Sequence, residues 1–418
     1  MRKRLHFVIM LIFIAISLYA APSGALGAYS PLALRIESMG GAGVASARYE
    51  EVMYANPALV SRENQYAALP SLSITLYNFN KLIQPGGALD IFLTQNEGQE
   101  DVTRAINQLI NSIGSGEGDV ISAQAGFGFI SGITGLSLDM GIDLHSMGSG
   151  GESSTLVMEA NLAASLALAM PFTVAENHTF SFGIGAHLIF RGFSLDDMYD
   201  PSLQGGLNAG SLISIYNDED SLGLMLNRIP VAFGFAIPLD FGFAYSYRDI
   251  FTFAFAAKNV NGRYRMQTYS GINQLYYMLT GGYLGSSSPG SATEGINYSF
   301  DTPVSLDAGF AVSTPDEGLW EWIDVTFACD IVDLAGLFSQ PVSLEELILR
   351  SRLGLEVRLM NTFDFRAGLN SGYLSFGFTF DFQIFTIDLL YATHEYGKEL
   401  GDKPLDMLSI AFTLGIEN

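Results

Sequence analysis

The sequence is short of charge, of cysteine and, beyond its N-terminus, of long apolar runs. Only 15% of its 418 residues are charged, and 20 basic residues stand against 43 acidic ones, for a formal net charge of -23. A nucleic-acid-binding surface needs basic residues to neutralise phosphates, so nucleic acid is excluded as a partner. The single cysteine, Cys329, excludes an intramolecular disulfide and any multi-cysteine metal site. No window after the N-terminus offers the roughly twenty apolar residues of a membrane helix.

The usual signatures of catalysis and of cofactor binding are also missing. The five histidines are scattered, and none stands in a metal-ligand spacing. The segment Gly41 to Ser46 (GAGVAS) lacks the third glycine of a dinucleotide-binding loop. No GxSxG motif occurs, and the pair His145 and Ser146 lacks the spacing that would place both side chains on one face of a strand. The sequence therefore predicts no catalytic residue, no metal site and no cofactor.

The N-terminus has the order of a secretory signal peptide. A basic start at residues 2–4 is followed by an apolar run over 7–20 and then by small residues. Cleavage after Ala21 or after Gly27 would fit, and residues 1–27 are assigned to the signal. The alternative is a retained membrane helix, for which the apolar run is short.

The rest of the chain is rich in two-residue alternation. From Leu374 to Phe382, leucine and phenylalanine alternate with serine, glycine, threonine and aspartate. Successive side chains of a strand point to opposite faces, so this segment has one apolar and one polar face. The same period recurs in Leu136 to Leu144, Phe180 to Phe190, Leu239 to Tyr247, Phe251 to Ala256, Val304 to Ser313, Ile323 to Ile331, Leu353 to Leu359, Phe363 to Leu369, Phe385 to Tyr391 and Ile410 to Ile416.

These strands favour an all-β fold, a transmembrane antiparallel β-barrel of about 14 strands over residues 66–418. The longer strands have the length of a membrane-spanning strand, an apolar face for outer-membrane lipids and a polar face for a lumen. A soluble β-sandwich would alternate in the same way and stays open as the alternative. Cys329 falls on an apolar face and is expected to be inert and to face lipid.

The links between strands are either very short or long. Tight hairpin turns are predicted at 248–249, 360–362 and 370–372, and longer insertions near 84–118, 196–228, 261–300 and 332–349. Short turns and long loops are expected at opposite rims. Asp101 to Ile113 and Ser343 to Arg350 are predicted to be short amphipathic helices within the loops.

Four charged residues are predicted to form a ladder inside the barrel. A turn at 360–362 places Arg358 opposite Asp364 and Glu356 opposite Arg366. Opposite charges paired across two strands favour that register. Two interpretations stay open, a ladder that holds the wall together and one that guides a solute.

A family resemblance is carried by three stretches of the chain. The first is Ser38 to Val60, SMGGAGVASARYEEVMYANPALV, and the others are Ile237 to Gly262 and Phe363 to Gly397. They resemble the FadL/TodX superfamily of outer-membrane proteins, including its PorV-like and conjugation-associated branches. The resemblance implies a barrel of fourteen strands, inserted by the barrel-assembly machinery, with an N-terminal hatch in its lumen.

The resemblance also implies which residues form the hatch. Residues 28–65 would be the hatch, with Asn56, Pro57 and Ala58 on its motif and Gly40, Gly41 and Gly43 on a tight turn. Family members bind a hydrophobic solute near the outer mouth, and the hatch shifts to let it pass.

Two functions are compatible with the sequence. The first is passive uptake of hydrophobic small molecules such as long-chain fatty acids through the outer membrane of a diderm bacterium; Leu275 to Leu279 and Leu222 to Leu226 offer apolar loop material for the ligand. The second is a non-transporting barrel whose loops serve as a scaffold or a secretion-associated docking surface, as in the PorV-like branch. No enzymatic activity is expected.

Overall fold

The computed structural model describes the chain in segments. They are residues 27–63, 65–94, 104–105, 108, 118–147, 155–195, 229–271, 274, 295–315, 318–339, 341–397 and 399–417. The predicted helix at 101–113 and the apolar stretches at 222–226 and 275–279 lie almost entirely outside the described residues.

A single antiparallel sheet makes up most of the described chain. Its strands are β1 (Tyr66–Tyr77), β2 (Gly118–Ser131), β3 (Thr134–Met147), β4 (Thr155–Ala175), β5 (His178–Ser194), β6a (Val231–Ala236), β6b (Leu239–Tyr247), β7a (Phe251–Val260), β7b (Arg263–Tyr269), β8a (Asn297–Asp301), β8b (Ser305–Ser313), β9 (Ile323–Ile331), β10 (Ser351–Leu359), β11 (Phe363–Asn370), β12 (Tyr373–Asp381), β13 (Phe385–Glu395) and β14 (Pro404–Glu417). Each a and b pair is one interrupted strand, so the sheet has 14 strands, the predicted number.

The sheet closes on itself. Each strand pairs with the next along the chain, and β14 pairs with β1, with Tyr66 opposite Glu417 and Tyr77 opposite Met407. Closure leaves no free edge that a bilayer would have to accept. The predicted barrel is confirmed.

The two faces of the wall differ as the alternation predicts. Outward-facing side chains of β3 and β12 are exposed leucine, methionine, isoleucine and phenylalanine, for example Ile142 and Phe376. Inward-facing Asp139, Ser375 and Thr379 are buried. Cys329 lies on the outer face of β9, between Phe310 and Leu353 on the neighbouring strands. A band of apolar side chains on the outside and polar ones inside is the surface of a membrane-spanning barrel.

Three adjacent strands are interrupted. The breaks fall at Ile237 and Pro238, at Asn261 and Gly262, and at residues 302–304, which include Pro303. Proline cannot donate a ladder hydrogen bond, and Asn261 adopts a positive φ of 62°. Beyond these breaks the strands continue as β6a, β7b and β8a, which pair with one another. The prediction of one long insertion at 261–300 was therefore wrong at both ends, because the break in the alternation hid the strand continuation.

Short turns and long loops mostly separate to opposite rims. The turns at 248–250 and 360–362 lie at one rim, here called the short-turn rim, and positive φ angles at Arg248, Asp249, Met360 and Asn361 fit tight hairpins. The turn at 371–372 is also tight but lies at the other rim, here called the long-loop rim. Strand β11 begins at the short-turn rim and ends at the long-loop rim, where this turn connects it to β12. The expectation that all short turns share one rim was wrong for this hairpin.

The helices are short and lie outside the sheet or within its lumen. They are α1 (Leu34–Ser38), α2 (Val52–Ala55), α3 (Phe79–Leu82), α4 (Ala88–Thr94), α5 (Leu334–Ser339) and α6 (Leu344–Arg350). The predicted helix at 343–350 is confirmed as α6, and the hydroxyl of Ser343 accepts from the amide of Glu346 as its N-cap. In the described part of the chain, no helix has both the length and the hydropathy to cross a bilayer.

Candidate functional site

The N-terminal segment, residues 27–63, lies against the inner face of the wall. Leu34 of α1 packs with Leu390 and Met407 on β13 and β14. Farther along, Val52, Met53 and Leu59 are almost fully buried. The segment has no strand pairing of its own, so its position depends on the contacts described next.

Three wall glycines form the first point of attachment, here called the first socket: Gly354, Gly368 and Gly377 on β10, β11 and β12. The backbone of Met39 and Gly40 lies directly on Gly354 and Gly368, and the side chain of Ser38 lies on Gly377. A Cβ added at Gly368 would stand 2.1 Å from the amide nitrogen of Gly40, and one at Gly377 would stand 2.2 Å from the Cβ of Ser38. Only glycine lets the two backbones approach this closely. Gly40 itself needs a positive φ of 67°, which completes the tight turn.

Beyond the first socket, the backbone is held by a buried carboxylate. The amides of Gly43 and Val44 both donate to Oδ2 of Asp330 on β9, at 2.7 and 2.8 Å. A carboxylate that accepts from two backbone amides fixes both amides at once. The glycines singled out in the sequence therefore dock the segment on β9 to β12.

The second socket lies on the opposite wall, where Gly183 and Gly242 of β5 and β6b receive the turn Asn56 to Ala58. A Cβ at Gly183 would lie 2.2 Å from the amide nitrogen of Ala58, and one at Gly242 would lie 2.1 Å from Oδ1 of Asn56. Asn56 has extended backbone, as the following proline requires. Its Oδ1 accepts from the Ala58 amide at 3.0 Å, and its Nδ2 donates to the Val44 carbonyl at 2.9 Å. Asn56 thus ties the turn to the start of the segment.

The four ladder residues pair in the predicted register. Arg358 lies opposite Asp364 and Glu356 opposite Arg366. The Arg358 Nε donates to Asp364 Oδ1 at 3.0 Å, and the Arg366 Nε donates to Glu356 Oε2 at 2.6 Å. Arg35 of α1 joins them, since its Nη2 donates to Glu356 Oε1 at 2.9 Å. The ladder therefore binds the N-terminal segment as well as the wall.

A second polar network surrounds Tyr54. Its hydroxyl donates to Asp139 Oδ2 at 2.7 Å and lies 2.7 Å from Ser165 Oγ. Ser165 Oγ is 2.9 Å from Nδ1 of His187, and Nε2 of His187 is 3.1 Å from Asp240 Oδ2. The Tyr54 ring stacks on the His187 ring with centroids 4.8 Å apart.

Sequence reasoning missed this network. A serine, a histidine and an aspartate in contact have the composition of a hydrolase triad. Here the Ser165 hydroxyl is hydrogen-bonded to the Tyr54 hydroxyl, and neither Ser165 nor His187 lines the cavity between the N-terminal segment and the wall. The arrangement fixes Tyr54 in place. From the alternation one could have inferred only that the strand residues Ser165 and His187 point into the barrel.

A cavity of about 860 Å³ remains between the N-terminal segment and the wall. Its lining combines aliphatic and aromatic side chains with hydroxyls, amides and charges. The polar members include Arg35, Glu37, Glu50, Glu51, Ser71, Ser73, Gln124, Asp139, Lys258, Arg366, Gln383, Thr386, Asp388 and Thr413. This volume is in the range of roughly 300–1,000 Å³ that small-molecule sites occupy. Within the described residues, no group of three or more histidine, cysteine, aspartate or glutamate side chains could hold a metal ion.

Two adjacent carboxyl groups of the N-terminal segment line this cavity. Burial raises the pKa of Glu50 to about 7. Burial likewise raises the pKa of Glu51 to about 8; the Arg35 guanidinium opposes this shift and the Glu50 carboxylate adds to it. Neither Glu50 Oε2 nor Glu51 Oε2 has a hydrogen-bond partner. Docking of this part of the segment should therefore depend on pH.

We expect the N-terminal segment to dock more tightly in acid than in base. The usual pKa of these carboxyls is 4.5, so between pH 4.5 and about 8 the folded state holds protons that the unfolded state has released. The stabilisation is fully present below pH 4.5 and is lost as the pH rises to about 8. Because one pKa unit corresponds to about 1.4 kcal/mol, the free energy of unfolding should fall by several kcal/mol across this window.

Urea unfolding of the purified barrel at pH 5 and pH 8.5 measures the effect. A variant carrying Glu50→Gln and Glu51→Gln serves as the control, because amides do not titrate. The double variant should show a smaller fall than the wild type, and equal falls in the two proteins would contradict the assignment.

Comparison with known proteins finds similar solved structures, but no matching family model and no matching curated protein. The toluene transporter TbuX of Ralstonia pickettii is 13% identical with a TM-score of 0.45, over 92% of this chain and 98% of that one. The toluene transporter TodX of Pseudomonas putida is 11% identical with a TM-score of 0.43, over 93% and 98%. A FadL homologue of Pseudomonas aeruginosa is 12% identical with a TM-score of 0.44, over 94% and 100%.

Proposed function

We propose that this chain is an outer-membrane channel of a diderm bacterium for the passive uptake of hydrophobic small molecules, such as long-chain fatty acids. The observation that carries the proposal is the cavity of about 860 Å³, which lies inside a closed, lipid-facing barrel between its wall and the N-terminal segment. A barrel that served only as a wall would have no need of such a space. In single-chain barrels the short turns face the periplasm and the long loops face outside, which orients the cavity.

In this proposal residues 28–65 act as the hatch. The first socket holds Gly40 and its neighbours on β10 to β12, and the second holds Asn56, Pro57 and Ala58 on β5 and β6b. Between the sockets, Tyr49, Glu50 and Glu51 line the cavity. The hatch thus closes the lumen to free diffusion while leaving a defined space beside it.

Uptake of labelled oleate tests the proposal. Cells that carry the gene should take up oleate several times faster than cells without it, because the barrel offers a path through the outer membrane. A variant lacking residues 39–60 should lose selectivity and admit polar solutes, since both sockets would be empty. Heat-modifiable migration in detergent gels confirms that each barrel is folded. Equal oleate uptake with the wild type, with the variant and without the gene would contradict the transport function.

A scaffold function is the second candidate, and the tight packing of the hatch favours it. Met39, Ala42, Val52 and Val60 are almost fully buried, as in a lumen filled for stability. A folded barrel in the outer membrane without any effect on uptake would support the scaffold.

A further inference from the structure

On β7a the apolar outer surface of the barrel ends where the strand is interrupted. Phe251, Phe253 and Phe255 point outward and are exposed. β7a has ten residues, and a tilted strand of that length rises through roughly 25 Å, the height of the apolar band of a membrane barrel. The break at Asn261 and Gly262 therefore lies at the edge of this band that is nearer the long-loop rim.

Beyond the break, β7b presents two arginines to the outside of the barrel. Phe235 of β6a is exposed on the outer face, and it lies opposite Phe190 of β5 on one side and Arg265 of β7b on the other. Residues directly opposite each other on antiparallel strands point to the same side of the sheet. Arg265 therefore points outward, and so does Arg263, which precedes it by two positions. Both arginines are exposed.

The two guanidinium groups are only partly neutralised. Arg263 Nη2 donates to Ser299 Oγ on β8a at 3.0 Å, and Arg263 Nε lies 3.7 Å from Asp301 Oδ1. Both members of this ion pair are more than half exposed, so the pair contributes little stability. Within the described residues, the Arg265 side chain has neither an ion pair nor a hydrogen bond, although Ser299 lies opposite it. Positive charge is therefore left at this point of a chain whose formal net charge is -23.

An aromatic surface adjoins Arg265. Phe190 of β5 and Phe233 and Phe235 of β6a surround this side of it, and the ring centroid of Phe190 lies 6.1 Å and 6.2 Å from those of the other two rings. The exposed Ile237 follows at the break between β6a and β6b. Apolar surface and positive charge therefore lie side by side where the apolar band ends.

A lipid with a phosphate in its head group has the chemistry that this surface would recognise. Guanidinium groups bind phosphate through two parallel hydrogen bonds. A free phosphate would contact only the arginines, whose exposed charges are screened by salt. A membrane lipid adds the burial of its acyl chain against the phenylalanines, and lipids surround the apolar band of a membrane barrel in any case. The charge and the apolar surface together favour the lipid over the free ion.

We propose that Arg263 and Arg265 bind the phosphate of a lipid in the outer leaflet of the membrane, and that an acyl chain of this lipid lies on Phe190 and Phe235. The leaflet follows from the position of the site, since the long-loop rim of a single-chain barrel faces outside. The inference goes beyond the uptake function and does not depend on it. It requires only that the barrel spans the outer membrane.

Binding of lipid A, a phosphorylated lipid, to the purified full-length barrel in detergent tests the site, with native mass spectrometry as the readout. Arg263→Gln together with Arg265→Gln should weaken binding by about tenfold. The control carries Arg248→Gln and Lys403→Gln, which remove the same two charges from exposed positions in a hairpin at the short-turn rim and in the loop before β14. The control should stay within about twofold of the wild type. Heat-modifiable migration shows beforehand that each barrel is folded.

The control separates a site from attraction by net charge. Equal weakening in the two double variants would show that only the total charge matters and would overturn the site, and so would unchanged binding in Arg263→Gln with Arg265→Gln. If that variant does not fold, Arg265→Gln alone is measured, because this side chain makes no contact that the substitution would break. Unchanged binding there overturns the site as well.

Two further probes separate a lipid from a free phosphate. Lipid A without its phosphates should bind the wild type about tenfold more weakly than lipid A does, and equal binding of the two would overturn the role of the phosphate. Inorganic phosphate in about a hundredfold excess should displace little lipid A from the wild type. Complete displacement would show that the arginines bind the ion alone and would overturn the lipid as the occupant.

A phenylalanine substitution tests the acyl-chain contact. Phe235→Ala should weaken lipid A binding by about threefold, because the apolar surface beside Arg265 becomes smaller. Phe310→Ala is the matched control, since Phe310 is also 39% exposed on the outer face but lies on β8b, within the apolar band. Its binding should be that of the wild type. Equal binding by the two variants would overturn the contact between the acyl chain and the phenylalanines.

Discussion

Replacing Gly183 with alanine should release the turn Asn56 to Ala58 from the wall and open the barrel to polar solutes that the wild type excludes. The new Cβ would stand 2.2 Å from the Ala58 amide nitrogen and 2.3 Å from the Pro57 carbonyl carbon, both backbone atoms. Neither atom can rotate away as the end of a flexible side chain would. Overpacking of a close contact costs roughly 1–3 kcal/mol or more, enough to undock a single turn.

Gly141 offers the matched control for this substitution. It lies on the inward face of a wall strand like Gly183, but a Cβ there would be 3.5 Å from the nearest atom, the hydroxyl of Tyr29. Gly141→Ala should behave as the wild type. Sensitivity of cells to a large polar antibiotic reports the opening, and trypsin cleavage at Arg62 in the purified protein reports the undocking. Equal sensitivity and equal cleavage in Gly183→Ala and Gly141→Ala would show that the second socket does not hold the hatch.

Replacing Glu356 with glutamine should destabilise the barrel by about 3 kcal/mol or more. Glu356 is 1% exposed and accepts from two guanidinium groups, Arg35 at 2.9 Å and Arg366 at 2.6 Å. An amide of the same shape keeps the packing but removes the counter-charge that the two cations share; Arg366 then keeps Asp364 at 2.7 Å, and Arg35 keeps only the more distant Glu51 at 3.7 Å. Removing one partner of a buried ion pair is costly even where the intact pair adds little net stability.

Urea unfolding in lipid vesicles measures this change. Asp301→Asn is the control, because its partner Arg263 is 3.7 Å away and both side chains are more than half exposed; its midpoint should barely move. Adding Arg35→Gln to Glu356→Gln should restore part of the lost stability, since one uncompensated cation is removed. If Glu356→Gln unfolds at the same midpoint as the control, the ladder does not bind the hatch to the wall.

The sequence was sufficient to predict the strands of the wall and their two faces wherever the alternation was unbroken. Leu374 to Phe382 predicted β12 with its faces assigned, and the turn at 360–362 set the register that pairs Arg358 with Asp364. Where Gly262 and Pro303 broke the pattern, the strand continuations were missed. A two-residue period is a local property, so it can be read only where neighbouring residues repeat it.

The contacts inside the barrel could not be predicted in this way. Gly40 was recognised as a turn residue, but its partner Gly368 is distant in the sequence and gave no local signal of its role. Arg35, Tyr54 and His187 were likewise not singled out, although they connect the N-terminal segment to the ladder and to the wall.

The sequence by itself determined a series of alternating strands and one N-terminal segment without a strand pattern. It also determined which residues face inward, because each side chain's face follows from its neighbours along the strand. Only the tertiary structure decided which inward residues meet. Closure of the sheet brings β5 and β6b opposite β10 to β12, and the two glycine sockets for the N-terminal segment exist only once that closure sets the distance between the walls.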